Sequence, residues 1–170
     1  SGNSGMLVAT LQGFASYQRE SAWTWEHQAL VRARFVAGDP AVARQVEAVR
    51  TEILCRPRDL ATLGEEVQQM RARMREHLLP SGPAHEGEFD LKQGAGGIVD
   101  IEFMVQYAVL AWSSRHPQLL RYTDNIRILD GLRDAGLLTE SDVGLLQEAY
   151  KTFRAVAHRQ ALQKQPGKVP

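Results

Sequence analysis

Apolar residues recur every three or four positions along most of the chain, which is the spacing of helices that bury one face. The pattern predicts helices over residues 22–35, 39–55, 59–79, 99–116, 123–138 and 139–162. Asp39 followed by Pro40 is typical of a helix start, because a capping residue precedes a first-turn proline. The stretch "MLVAT", residues 6–10, is the best strand candidate, but one strand cannot form a sheet.

The segment 99–116 differs from the others because it is apolar nearly all round. Ile101, Val105 and Val109 share one face, and Phe103 and Tyr107 widen it. Such a helix usually lies at the centre of a helical bundle. The sequence therefore predicts an all-α (mainly α) protein, an antiparallel bundle of about five or six helices around this segment.

Two of the other helices show an apolar stripe that we expect to be buried. The stripe of the helix predicted over residues 22–35 comprises Trp25, Ala29, Leu30 and Ala33. That of the helix predicted over residues 59–79 comprises Leu60, Leu63, Val67, Met70 and Met74. Between the helices predicted over residues 59–79 and 99–116, the stretch "LPSGPAHEGE", residues 79–88, is rich in proline and glycine. That composition predicts a linker or a surface loop.

Composition limits the class of protein without identifying a reaction. The chain has 170 residues with 20 basic and 20 acidic side chains, so net charge gives no argument for a nucleic acid or a membrane as partner. A single cysteine, Cys55, excludes an internal disulfide and suits a reducing compartment. No apolar run is long enough to span a bilayer, and the first residues lack signal-peptide features. We expect a cytoplasmic protein, or a piece of one.

The stretch "DLKQGAGGIVDIEF", residues 90–103, places three glycines directly before two acids and the apolar helix. Gly94, Gly96 and Gly97 can form a loop that cradles phosphate at a helix N-terminus, or a turn that needs positive φ angles. No Lys-Ser or Lys-Thr pair follows, and no strand–helix–strand unit surrounds the loop, as a P-loop requires. The pattern favours the turn and leaves the phosphate loop open.

Asp100 and Glu102 resemble a metal-binding pair, but their spacing argues against a shared cation. Residues two apart on a helix point about 200° away from each other. Each acid flanks an apolar helix and therefore needs a partner, for which Lys92, Arg127 and Arg154 are candidates. A structural ion pair and a ligand-facing cluster both remain possible at this stage.

The helix "WTWEHQALVRAR", residues 23–34, combines two tryptophans with several charged side chains. Such a helix can line a cleft, which makes Trp25 and Glu26 candidate site residues, or it can be a core helix with solvated charges. The five histidines and Cys55 show no zinc-site spacing, so we predict no metal site. No serine lies in a nucleophile elbow.

The stretches "LKQGAGGIVDIEFMVQY" and "AWTWEHQALVRARFVAGDP", together with "YTDNIRILDGL" and "LQEAYKTFRAVAHRQAL", resemble the bacterial glutamine synthetase adenylyltransferase (glutamate-ammonia-ligase adenylyltransferase) family. The resemblance covers almost the whole chain. The sequences of the Trp-rich helix and of the short tail are more similar to the C-terminal, adenylylating half of that family. The glycine loop alone is also similar to the uridylyltransferases that modify the PII signal protein.

The resemblance implies a bifunctional cytoplasmic enzyme with two nucleotidyltransferase domains, each followed by a helical domain. One half transfers AMP from ATP, with Mg²⁺, to a tyrosine of glutamine synthetase, and the other removes it. PII and glutamine regulate the balance. The Gly-Ser turn and Asp-x-Asp pair of the catalytic domains are absent from this sequence. We therefore expect a remnant of the nucleotidyltransferase core over residues 1–38 and a helical bundle over residues 39–170.

This division implies that the catalytic carboxylates lie upstream and that the chain alone binds neither ATP nor Mg²⁺ and is inactive. Two functions are then open for the helical domain. In the first, it belongs to the catalytic cleft, through Lys92, Gly94, Gly96, Gly97, Asp100 and Glu102, with Trp25 and Glu26 nearby. In the second, it is a regulatory module that binds PII, glutamine or glutamine synthetase. A purely structural role of the elbow is the third alternative.

Overall fold

The computed structural model describes residues 8–78 and 89–169 of the chain. These residues form seven α-helices, a 3-10 helix and one pair of short antiparallel strands. In chain order they are α1 (Leu11–Glu20), α2 (Thr24–Arg32), α3 (Pro40–Leu54), α4 (Leu60–Leu78), β1 (Phe89–Asp90), α5 (Ile98–Trp112), the 3-10 helix (Pro117–Arg121), α6 (Asn125–Asp134), α7 (Glu140–Leu162) and β2 (Lys168–Val169). The prediction of a mainly α helical bundle is confirmed.

Helix α5 occupies the centre of the bundle, as its apolar character predicts. It contacts α2, α4, α6, α7 and the 3-10 helix, and both Val105 and Val109 are fully buried. The predicted end at His116 is wrong, because α5 stops at Trp112 and turns follow. Ser113 caps this end, and its buried hydroxyl donates a hydrogen bond of 2.6 Å to the Val109 carbonyl.

The helix starts follow local capping signals. The Asp39 side chain accepts a hydrogen bond of 2.7 Å from the Ala41 amide, with Pro40 in the first turn of α3. The Thr139 hydroxyl accepts one of 3.1 Å from the Asp142 amide at the start of α7. Each cap satisfies an amide that the helix leaves without an internal partner. These two predicted starts are therefore confirmed.

The N-terminal residues contain a helix that the pattern did not predict. Part of "MLVAT" lies outside the described residues, and Val8–Thr10 is not a strand. Instead, the Thr10 hydroxyl accepts from the Gly13 amide and begins α1. Helices α1 and α2 contribute Ala15, Leu30 and Val31 to the same buried cluster as α3–α6. The proposed division at residue 38 stays a prediction, as does the loop at 79–88, which lies outside the described residues.

The predicted buried face of α2 is confirmed for Leu30 and Ala33, which pack on the core, and is wrong for the other two positions. Trp25 and Ala29 are exposed, whereas His27 and Gln28 are buried beside Leu30. Burial of these polar side chains is possible because each finds a partner: His27 Nε2 lies 3.0 Å from the Gln18 carbonyl, and Gln28 donates to Gln106 at 3.4 Å. Periodicity of apolar residues cannot reveal such satisfied polar positions.

The stripe of α4 is partly confirmed. Leu63 and Val67 are buried, but Leu60, at the start of the helix, is 44% exposed. Arg71 continues the stripe one turn further and is also buried. The C-terminal half of α4 thus presents a charged side chain where the pattern of the first half calls for an apolar one.

Arg50 of α3 joins three elements from a buried position. Its guanidinium donates to the carbonyls of Leu30 at 2.9 Å, Val31 at 3.0 Å and Leu120 at 3.2 Å. The first two carbonyls belong to the C-terminal turn of α2 and the third to the 3-10 helix. A buried arginine is tolerated here because these acceptors and Glu47, at 2.8 Å, surround its donors.

Among the residues that the structure describes, no helix combines the length and the apolar character needed to cross a membrane.

Candidate functional site: the glycine–acid elbow

The three glycines lie in a tight elbow, residues 90–97, between β1 and α5. A Cβ atom at Gly94 would lie 2.5 Å from the Asp90 carbonyl oxygen, and one at Gly97 would lie 2.8 Å from that of Leu91. Gly96 meets nothing but has a φ of +80°, in the left-handed region. Each glycine therefore answers a requirement of the backbone, two for close approach and one for its torsion angle.

Backbone amides of the elbow are already engaged within the chain. The amide of Gly94 donates to the Asp90 carbonyl at 2.8 Å, and that of Gly97 donates to the Gly94 carbonyl at 3.0 Å. The first amides of α5 return to the elbow, because Ile98 donates to the Leu91 carbonyl at 2.9 Å and Val99 to that of Lys92 at 3.1 Å. A phosphate cradle requires such amides to be free. Their engagement favours the turn over the phosphate loop.

Asp100 locks the elbow onto α4. Its Oδ2 accepts from the Gly96 amide at 2.7 Å and from Arg75 Nη2 at 2.9 Å, while Oδ1 accepts from Arg71 Nε at 2.5 Å. Arg71 also donates to the Gln93 carbonyl at 2.8 Å. The predicted partners of Asp100, Lys92 among them, are thus replaced by two arginines of α4.

The carboxylate of Asp100 is held in its charged form. Burial by itself raises its pKa, but the Gly96 amide and the guanidinium groups of Arg71 and Arg75 outweigh burial and lower the pKa below the ordinary value. The side chain of Arg71 is only 9% exposed, so this carboxylate is its compensating charge. Asp100, Arg71 and Arg75 thus form a charged hydrogen-bond network that joins α5 to α4.

Glu102 points to another part of the bundle, as the spacing of the two acids predicts. The Tyr150 hydroxyl donates to Glu102 Oε1 at 2.9 Å, and Arg32 Nη1 lies 3.4 Å from the same oxygen. Arg154 donates to the Tyr150 hydroxyl oxygen at 3.1 Å. Glu102 therefore ties α5 to α2 and α7, and a predicted partner, Arg154, reaches it through Tyr150.

Lys92 lies on the side of the elbow that faces α7. Together with Glu102, Arg154 and His158 it lines a cleft of about 560 Å³ whose floor includes Ile98. The structure thus brings Lys92 and Glu102 together on one cleft and turns Asp100 toward α4. The sequence pattern does not reveal Arg71, Arg75 and Tyr150 as partners of these acids, because they lie far from the elbow in the chain.

Trp25 and Glu26 have their contacts on other elements. Trp25 and its neighbour Trp23 line a groove of about 260 Å³ with Met70 and Arg73 of α4. Glu26 accepts hydrogen bonds from the Tyr17 hydroxyl at 2.7 and 2.8 Å and from the Trp23 amide at 3.0 Å. Trp23, Trp25, Met70 and Arg73 therefore define a second surface, the tryptophan groove, which is not an extension of the elbow. Glu26 is not part of its lining.

Comparison with known protein families decides which family this fold and elbow belong to. The family model of GlnD PII-uridylyltransferase matches residues 68–168, which contain α5 and the elbow. The chain belongs to the GlnD PII-uridylyltransferase family. A second model, Glutamate-ammonia ligase adenylyltransferase, matches residues 1–49.

Relatives of this member of the uridylyltransferase family are much longer proteins. The chain is 60% identical over 99% of its length to the "Bifunctional glutamine synthetase adenylyltransferase/adenylyl-removing enzyme" of Pseudomonas aeruginosa, of which it covers 18%. Proteins of the same name from Pseudomonas syringae pv. tomato and Nitrosococcus oceani are 60% and 56% identical over 99% of the chain, which covers 18% and 17% of them. The resemblance to glutamine synthetase adenylyltransferases is confirmed.

Proposed function

We propose that this chain is the helical domain of an enzyme that transfers AMP from ATP to a tyrosine of glutamine synthetase in the cytoplasm, regulating nitrogen assimilation. The observation that carries the proposal is the 60% identity to a bifunctional adenylyltransferase over 99% of the chain. Because the chain covers 18% of that relative, the transfer itself is proposed for the longer enzyme and not for these residues alone.

The proposal places ATP and Mg²⁺ at the catalytic core of the longer enzyme. Carboxylates of nucleotidyltransferases hold Mg²⁺, which neutralises the triphosphate during attack on phosphorus. This sequence has neither an Asp-x-Asp pair nor a Gly-Ser dipeptide. Its part is therefore to present a rigid surface beside the core, and the elbow is the best candidate for that surface.

A transfer assay tests the proposal directly. We expect no incorporation of labelled AMP into glutamine synthetase by the 170-residue chain, and robust incorporation by a full-length relative in which this chain replaces the matching segment. Transfer by the chain alone would overturn the domain assignment. Failure of the chimera, when the unmodified relative is active, would contradict the proposal that this chain serves that enzyme.

The role of the elbow within the enzyme can be tested by substitution of Asp100. In the chimera, Asp100→Ala frees Arg71 and Arg75 and releases the elbow from α4. A cleft role predicts loss of basal transfer in the absence of PII and glutamine. The exposed Asp134, at the end of α6, supplies the control Asp134→Ala, which we expect to leave transfer unchanged. Unchanged transfer by Asp100→Ala would remove the elbow from the catalytic cleft.

A second candidate function is a regulatory module that binds PII, glutamine or glutamine synthetase. The observation that favours it is the tryptophan groove, where Trp23 is 71% and Trp25 is 41% exposed beside Arg73. Tryptophan and arginine dominate the energetics of many protein interfaces. In the chimera, Trp23→Ala with Trp25→Ala should abolish the response to regulators and preserve basal transfer. An unchanged response would exclude the groove from regulation.

A further inference from the structure

Beside the elbow lies a cleft lined by two cationic side chains and one acidic one. We call it the Lys92 cleft, lined by Lys92, Glu102, Arg154 and His158, with a volume of about 560 Å³. Its cationic residues come from two parts of the chain, the elbow and α7. Arg154 and His158 are one helical turn apart and therefore lie on the same side of α7.

The acidic side chain of the cleft is already paired within the chain, whereas the cationic side chains have few partners among the described residues. Glu102, its acidic residue, already accepts from Tyr150 and pairs with Arg32. Within the described part of the chain, Arg154 forms no ion pair within 4.0 Å, and its guanidinium donates only to the Tyr150 hydroxyl. Lys92 is exposed at the rim. Although the whole chain is neutral, the potential in this cleft is therefore positive.

Arg154 is also held in place. Tyr150 is 5% exposed, so its ring is fixed by packing, and its hydroxyl bridges Glu102 and Arg154 at 2.9 and 3.1 Å. Arg154 Cζ lies 5.6 Å from the centroid of the Tyr150 ring. A guanidinium that is oriented before binding loses less side-chain freedom when it receives an anion.

We propose that the Lys92 cleft binds the polyphosphate group of a nucleotide. A triphosphate carries several charges along its length and can contact Lys92 and Arg154 at once, whereas one carboxylate meets one of them. Guanidinium forks bind phosphate oxygens in pairs, and a lysine adds a point charge. This site is separate from the carboxylates of the catalytic core, and it replaces the expectation that the chain alone binds no ATP. That the nucleotide is ATP rests on the proposed function, whereas recognition of the polyphosphate depends only on the cleft.

Titration calorimetry of the 170-residue chain tests the inference without any transfer reaction. The probes are inorganic tripolyphosphate, ATP and adenosine at low salt. We expect tripolyphosphate and ATP to bind at one site and adenosine to give no heat, with binding weakened by added salt. Absence of saturable tripolyphosphate binding, or equal binding of adenosine and ATP, would overturn the inference.

Matched variants locate the binding. We expect Lys92→Ala and Arg154→Gln each to weaken tripolyphosphate binding about tenfold, the loss typical of one charged hydrogen bond. Two controls remove the same charge outside the cleft: Arg115→Ala, in the turns after the C-terminal end of α5, and Arg159→Gln on α7. Both should bind as the unmodified chain does. Equal weakening in the controls would mean a diffuse charge effect and would contradict a site.

A positioning role for Tyr150 gives a separate readout. Tyr150→Phe keeps the packed ring and the charge of Arg154 but removes the bridging hydroxyl. Affinity for tripolyphosphate should fall by less than in Arg154→Gln, and its dependence on salt should stay the same. The binding test and the transfer assay fail independently. If the chimera transfers AMP but the chain does not bind tripolyphosphate, only the inference about the cleft is refuted. If the chain binds tripolyphosphate but the chimera does not transfer AMP, only the proposed function is refuted.

Discussion

At the scale of the residue, Asp100 connects more of the site than any other side chain. Its carboxylate receives the Gly96 amide, Arg71 and Arg75, and thereby joins the elbow to α4. The arrangement couples a backbone conformation to a charge pair, since the same oxygen that accepts from Gly96 accepts from Arg75. Removal of the charge should therefore affect folding as well as any function of the elbow.

The substitution Asp100→Asn should destabilise the chain by about 2 kcal/mol at pH 7, because Arg71 stays buried without its counter-charge. The folded pKa of Asp100 is lowered, so its stabilisation is complete above the ordinary carboxyl pKa and is lost as pH falls through the folded value. The difference between variant and parent should accordingly shrink in acid. Urea unfolding measures both effects, with the exposed Asp134→Asn as control, expected within about 0.5 kcal/mol of the parent.

His27 supplies a second prediction, for the pH range near neutrality. Its Nε2 lies 3.0 Å from the Gln18 carbonyl, and its Nδ1 lies 3.1 Å from Arg58 Nη2, so the neutral ring with a proton on Nε2 fits both contacts. Burial, followed by the charges of Arg58 and Arg56, lowers its pKa, although the Gln18 carbonyl opposes them.

His27 takes up a proton at a higher pH in the unfolded chain than in the folded chain. The free energy of unfolding should therefore fall as pH decreases below about 6.5. The slope contributed by this residue is at most about 1.4 kcal/mol per pH unit. His27→Gln should reduce the slope measured by unfolding between neutral and mildly acidic pH. Equal slopes for His27→Gln and the unmodified chain would contradict the assignment.

At the scale of the element, the C-terminal end of α2 is satisfied by a side chain from another helix. Arg50 of α3 donates to the last carbonyls of α2 and to the Leu120 carbonyl of the 3-10 helix. These acceptors lie among buried residues where water cannot replace the arginine. One side chain thus fixes the relative position of three elements.

Arg50→Met retains the apolar stem and removes the donors, so we expect a loss of about 3 kcal/mol from the free energy of unfolding. Arg44→Met, an exposed position of the same helix, should change it by less than about 0.5 kcal/mol. Denaturant unfolding measures both. Comparable values for the two variants would mean that the buried carbonyls find other partners.

Alanine substitutions at two glycines, Gly97 in the elbow and Gly144 in α7, should change the free energy of unfolding in opposite directions. In Gly97→Ala the new Cβ would lie 2.8 Å from the Leu91 carbonyl oxygen, so the elbow must shift, at a cost of about 2 kcal/mol. At Gly144, within α7, a Cβ meets nothing within 4 Å, and alanine is the better helix former. Gly144→Ala should therefore stabilise the chain by about 0.8 kcal/mol. Thermal unfolding distinguishes the two outcomes.

At the scale of the whole molecule, the first helices are part of the bundle core. Leu30 and Val31 of α2 lie in the same buried cluster as Val105 and Val109 of α5. Helix α2 also contacts α3 and α4. Of the segment that the family resemblance assigns to the neighbouring catalytic core, the described residues 8–38 therefore contribute to the packing of the remaining helices.

A chain that begins at Asp39 should consequently lose cooperative unfolding, because removal of α2 exposes the buried face of α5. The complete chain should unfold in one transition by both circular dichroism and tryptophan fluorescence. If the shortened chain unfolds with the same free energy as the complete one, residues 39–170 form an independent domain and the shared core contributes nothing.

The elbow shows how much of the site could be predicted. Its glycines were found from sequence because they are clustered, and the separate directions of Asp100 and Glu102 follow from helical geometry. Arg71 and Arg75 were not found, although Arg71 continues the spacing of Leu63 and Val67, and an arginine in that position signals a buried charge. Which carboxylate it meets depends on how α4 and α5 pack.

Features that depend on neighbours in the chain could be predicted from the sequence alone: most helix spans, the helix starts at Asp39 and Thr139, and the buried character of α5. The sequence motifs also indicated the family. Local hydrogen bonds and apolar periodicity carry that information. The packing of the helices sets which faces are buried and which charges meet, as in the burial of His27 in place of Trp25 and the pairing of Asp100 with α4. Those outcomes depend on how each helix is rotated about its axis against partners remote in sequence, which no local pattern specifies.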